Sequence, residues 1–140
     1  MKIDLETLRG FFAASPFMVD LGIVPIAVGD GTVTTELLLQ RRHTQHMGLA
    51  HAGVMATMAD HSMGAAAQTL CPPEHWIVTA ELKTSLLRAG RGERLVCEAQ
   101  VLKPGRSISF TEASVWAESG GERTLVMKAS ATMAVTAAKA

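Results

Sequence analysis

The stretch Gln45-His46-Met47-Gly48-Leu49-Ala50-His51-Ala52-Gly53-Val54-Met55-Ala56-Thr57-Met58-Ala59-Asp60-His61-Ser62-Met63-Gly64-Ala65-Ala66-Ala67-Gln68-Thr69-Leu70 decides the reading of this chain. From about residue 52 to 70 it is almost continuously apolar or small and contains no proline. That pattern belongs to a helix buried around most of its circumference rather than along one stripe. Asp60 stands in the middle of it. A carboxylate in such surroundings needs donors or a task, because taking its charge out of water is expensive. Two readings follow: an aspartate held by nearby donors for structural reasons, or one that does chemistry.

The residues ahead of the helix bear on that choice. Gly48 and Gly53 bracket His51-Ala52, so the backbone there can come close to a ligand, and the first amides of a helix have no intrahelical acceptor. Such a helix start binds anions and oxygens that become negative during a reaction. Gly53 and Asp60 are seven residues apart, so they share a face but stand about 10.5 Å apart along the axis. If both act on one substrate, one of them comes from a second copy of the protein.

At these residues the sequence resembles the hotdog-fold acyl-CoA thioesterases, in particular the group typified by the phenylacetate-pathway thioesterase. That group carries Asn or Gln, a Gly three residues on, His-Gly-Gly or His-Ala-Gly at the helix start, and an Asp seven residues beyond the last Gly. The corresponding residues are Gln45, Gly48, His51-Ala52-Gly53 and Asp60. A downstream extended pattern, Thr-x-Asp-Leu-Lys-x-x-Phe-Leu-Arg-Pro, is similar to the run from Thr79 to Ala89. The likeness covers roughly residues 8–134. It implies an α+β hotdog fold, with an antiparallel sheet of five to six strands wrapped around the helix at 52–70. It also implies hydrolysis of acyl-CoA thioesters without metal or redox cofactor, and a homo-oligomer, dimer or dimer of dimers, with active sites between subunits. Relatives also include dehydratases and inactive binders, so an acyl-thioester hydratase and a non-catalytic acyl-CoA or acyl-carrier binding module are the alternatives.

Length and composition narrow the field. The 140 residues suit one domain, 1–140. Thirteen basic and thirteen acidic residues balance, and no like-charge run exceeds Arg41-Arg42, which gives no electrostatic case for nucleic acid or anionic membrane as a partner. The N-terminus has scattered charges and no apolar signal core, and no uninterrupted apolar run reaches about 18 residues, so a soluble cytoplasmic protein is expected. Cys71 and Cys97 are too few for a disulfide framework and read as reduced and structural.

Along the chain, Leu5, Leu8, Phe11 and Phe12 fall at helical spacing over residues 4–13, with Ser15-Pro16 as the stop and a further short turn at 17–21. Runs 23–28 and 32–39 read as a hairpin around Gly29-Asp30-Gly31, with Val33, Thr35, Leu37 and Leu39 on one face. Residues 40–50 form a loop. Pro72-Pro73 ends the central helix. Residues 76–87 alternate, with Val78, Ala80, Leu82, Thr84 and Leu86 on one side and Thr79, Glu81, Lys83 and Ser85 on the other. Strands at 94–103, 106–118 and 124–135 follow, joined by turns at Pro104-Gly105, with positive φ expected at the glycine, and at Ser119-Gly120-Gly121. The tail, 136–140, reads as frayed.

The resemblance assigns roles residue by residue. Asp60 would be nucleophile on the thioester carbonyl or general base on water. The Gly53 amide of the facing subunit would stabilise the oxyanion. Gln45 would hold the same oxygen or the water, or merely satisfy its own loop; where the family has Asn, its extra methylene displaces the amide. His51 would orient the helix start, Thr79 would assist the carboxylate, and Gly48, Ala52, Met47 and Arg88 would line the substrate path. Met47, Met55, Met58 and Met63 read first as core filling, and His46 and His61 as structural. Arg88, Lys103 and Arg106, at strand ends and turns, could meet coenzyme A phosphates. Four histidines between residues 43 and 61 raise a metal site, but no pair has the spacing of a helical His-x-x-x-His site or a known zinc motif.

Overall fold

Helix α3, Ala52–Gln68, is the element on which everything else is laid. In the computed structural model, which describes residues 2–137, it packs against five strands of one sheet. Met58, Ala59, Met63 and Ala66 are wholly buried there. Alternating small and unbranched side chains let the helix sit close to the sheet while methionines fill the uneven gaps. His51 caps its start, and the helix stops before Pro72-Pro73.

Around it run α1 (Leu5–Ala13), α2 (Pro16–Leu21), β1 (Val24–Gly29), β2 (Thr32–Leu38), a 3-10 turn (Arg41–His43), β3 (Trp76–Leu86), β4 (Arg94–Lys103), β5 (Ile108–Ser119) and β6 (Glu122–Thr136). The six strands form one antiparallel sheet in the order β1-β2-β4-β5-β6-β3. This is the hotdog architecture, with α3 as the filling. Asp4 caps α1 by accepting a hydrogen bond from the Thr7 amide at 2.8 Å.

Four expectations change. Pro16 starts α2 instead of stopping α1, since its fixed φ and missing N–H suit a helix's first turn. Gly105 does not have positive φ. Glycine is required there because an added Cβ would lie 2.1 Å from the Ile108 carbonyl oxygen. Thr136 belongs to β6, while 138–140 of the expected frayed tail lie outside the described residues.

The fourth change matters for the site. A β-bulge between Thr79 and Glu81 breaks the alternation of β3, so Val78 and Leu82 do not share a face. Opposed residues in a sheet lie on the same side. Thr79 opposes buried Met133, and Leu82 opposes buried Ala131. The extra residue therefore keeps Leu82, Thr84 and Leu86 on the helix side while Thr79 also faces α3.

β2 behaves as read: Val33, Thr35 and Leu37 are buried. Thr35 is polar, and its hydroxyl pairs with that of Ser62 on α3 at 2.8 Å, both groups fully buried. The neighbouring Cys97 thiol is pushed up to about 12 by burial. Ser62→Ala removes the partner of a buried hydroxyl and is expected to cost about 1–3 kcal/mol of stability, read as a lower urea midpoint at unchanged slope.

The two sheet edges differ. β1 is blunted by Pro25 and by a bulge between Pro25 and Ala27. β3 is long, exposed along nearly its whole length, and presents Val78, Leu82 and Leu86 to solvent.

Candidate active site

Asp60 lies at mid-helix on the side of α3 that faces β3. Its Oδ1 accepts a hydrogen bond from the Thr79 hydroxyl at 2.7 Å, the contact that the bulge in β3 makes possible. The carboxylate opens on a cavity of about 240 Å³ between α1, α3 and the start of β3. The walls are mainly apolar, with Leu8, Phe12 and Ile77 among them. His61, expected to be structural, also lines this cavity. Its ring stands edge-on to Phe12, with centroids 4.6 Å apart. Burial holds the His61 imidazole below its usual pKa, with the Asp60 charge opposing.

The start of α3 forms a separate recess of about 290 Å³, bordered by Gln45, His51, Ala52 and Arg88. Backbone bonds fix it: the His51 amide donates to the His43 carbonyl at 2.9 Å, and the Ala50 amide to the Gly90 carbonyl at 2.9 Å. His43 is buried and anchors the loop in turn. Its Nδ1 accepts from the Gln40 amide at 3.0 Å, and its Nε2 lies 2.6 Å from the Leu21 carbonyl oxygen. Because a carbonyl only accepts, Nε2 carries the proton.

Within this recess the groups are partly engaged. The Gly53 amide donates to His51 Nδ1 of its own chain at 2.8 Å, so His51 is a true N-cap. Gln45 Oε1 accepts from the Met47 and Leu49 amides, which leaves its NH2 as the end available to a ligand. Gly48 has φ +79° at the tip of that loop, and Met47 beside it is exposed rather than core, unlike Met55, Met58 and Met63. Arg88 is exposed and donates to the Leu125 carbonyl at 3.2 Å. The Lys103 and Arg106 side chains border neither recess.

The two recesses share no residue. One chain thus brings Asp60 and Thr79 together, and separately Gln45, His51, Ala52, Gly53 and Arg88. It does not bring the carboxylate to the helix start. Sequence reasoning passed over Gly64 and Gln68 as cavity residues; their spacing of four and eight from Asp60 puts all three on one helix face. Among the described residues no group of three or more His, Cys, Asp or Glu side chains is placed to hold a metal.

A carboxylate paired with a threonine thus borders a mainly apolar cavity, on a helix wrapped by an antiparallel sheet in the hotdog arrangement. Residues 47–124 match the thioesterase superfamily. A candidate esterase of Caenorhabditis elegans is 30% identical over 71% of this chain, and the match spans 59% of that protein. Human acyl-coenzyme A thioesterase 13 is 27% identical, with 84% of each chain covered. The crystal structure of a thioesterase family protein from Silicibacter pomeroyi superposes with a TM-score of 0.89 at 33% identity, covering 91% of this chain and 94% of that one. The chain belongs to the thioesterase superfamily, a class of thioester hydrolases. No helix among the described residues is long and apolar enough to cross a membrane.

Proposed function

We propose that this chain hydrolyses acyl-CoA thioesters to a free carboxylic acid and coenzyme A, with Asp60 as the reacting carboxylate. The observation that carries this reading is the Thr79–Asp60 hydrogen bond at the mouth of an apolar cavity. A donor on Oδ1 fixes the orientation of the carboxylate toward the cavity. As nucleophile, Asp60 would attack the carbonyl carbon, the C–S bond would break to release the thiolate, and water would cleave the resulting anhydride. As general base, it would take a proton from water as the oxygen attacks the same carbon, and the C–S bond would then break to release the thiolate, which takes up that proton.

The negative charge that develops on the carbonyl oxygen belongs at the helix start of a second copy, met by the Gly53 amide and the Gln45 NH2. The Gly53 amide then exchanges its bond to His51 Nδ1 for one to the substrate. The exposed edge of β3, with Val78, Leu82 and Leu86, supports pairing between copies there, since a bare apolar edge invites another strand. In that homo-oligomer Ala52, Gly48 and Met47 border the thioester and Arg88 meets a phosphate of coenzyme A. Residues 1–140 act as one domain, working in the cytoplasm where acyl-CoA is available.

Thiol release measured across a panel of acyl-CoAs tests the reading. Release is expected; enoyl turnover without release, or binding without turnover, would replace hydrolysis by hydration or by simple acyl-CoA binding. His51 has its own test. As a cap, His51→Ala is expected to cost about 1 kcal/mol of stability and to change kcat by less than about tenfold. A drop of about a hundredfold or more would make it an acid or base instead.

A further inference from the structure

The cavity beside Asp60 has a neighbour on the side of α1 and the α3–β3 turn. It shares Phe11, Gln68 and Trp76 with a larger space of about 600 Å³ beneath the turn that joins α3 to β3. Gln68 is fixed at this junction: its Nε2 donates to the His75 carbonyl at 3.0 Å and its Oε1 accepts from the Ile77 amide at 3.1 Å. Phe11 and Trp76 are each more than two-fifths exposed although they are large and apolar. Between Asp60 and this junction lies Gly64, one helical turn from each.

Glycine inside a helix is unfavourable relative to alanine, and nothing in the packing of the chain requires it at this position. A Cβ built on Gly64 meets no atom within 4 Å. Its effect is on the cavity: any side chain there would project into the space between the carboxylate and the junction. Along the axis Gly64 lies about 6 Å from Asp60 and Gln68 about 12 Å, the reach of an extended chain of roughly eight to ten carbons.

Building on the thioesterase reading above, we propose that Gly64 sets the length of acyl group this protein accepts. Its missing side chain opens a channel through which an elongated apolar acyl tail runs from Asp60 past α1 to Phe11, Gln68 and Trp76. The class of substrate is a medium-length acyl thioester rather than acetyl or propionyl. Gly64 is a specificity-determining residue and takes no part in bond breaking.

The test uses S-ethyl- and S-decyl-coenzyme A, thioethers that lack the cleavable carbonyl, titrated calorimetrically into the full-length protein. The wild type is expected to bind the decyl compound at least tenfold more tightly than the ethyl. Gly64→Leu, which fills the channel, is expected to cut that ratio at least tenfold, and Gly64→Ala by a smaller factor. Both variants should melt no lower than the wild type, since each replaces a helical glycine facing open space. A wild type without length preference, or a ratio that survives Gly64→Leu, overturns the proposal. Binding of thioethers does not depend on which group attacks, so a failure of hydrolysis in the acyl-CoA panel is read separately from a failure here.

Discussion

Asp60→Asn is expected to lower kcat for every accepted acyl-CoA by at least about a thousandfold, roughly 4 kcal/mol of transition-state stabilisation, with melting temperature and oligomeric state unchanged. The amide is nearly isosteric, and its oxygen can still accept the Thr79 hydroxyl that now bonds Oδ1 at 2.7 Å. What it loses is the charge. A neutral amide neither attacks a thioester carbonyl nor takes a proton from water. A purely structural aspartate would give the opposite pattern, with a lower melting point and kcat nearly intact. Measuring thiol release and thermal unfolding on the same preparation separates the two.

Most of the fold was legible because its signals are strong and local. The apolar run after His51, without proline until Pro72, could only be a buried helix, and Gly29-Asp30-Gly31 and Gly120-Gly121 lie in hairpin connections as read. What misled were places where one residue changes meaning with context. Pro16 reads as a stop beside one helix and is in fact the start of the next. The bulge in β3 is invisible to a period-2 pattern, because Val78, Ala80 and Leu82 alternate well on either side of it.

The site was legible in part for the same reason. Spacing placed Gly53 and Asp60 on one helix face and too far apart to meet, and the two recesses are indeed separate. Family likeness paired Thr79 with the carboxylate, although the alternation assumed for β3 would not have explained why. The resemblance reads His51 as an orienting group at the helix start; that its partner is the Gly53 amide has no signal in the residues themselves. Gly64 went unnoticed because a small residue among alanines carries no signal; its importance lies in the empty volume beside it.

The remaining large effect is a gain. Ala52→Asp puts a carboxylate at the exposed first turn of α3, where the helix dipole favours it and folding is undisturbed. There it repels an oxygen that becomes negative, so this variant should also be nearly inactive. Asp60→Asn and Ala52→Asp protomers, unfolded and refolded together in equal amounts, make mixed dimers in which one of two sites has both an intact carboxylate and an intact helix start. Random pairing then restores roughly a quarter of wild-type activity. Recovery of that size from two inactive proteins is the result this account predicts. A mixture that stays inactive, while differently tagged protomers are shown to co-purify, would contradict it.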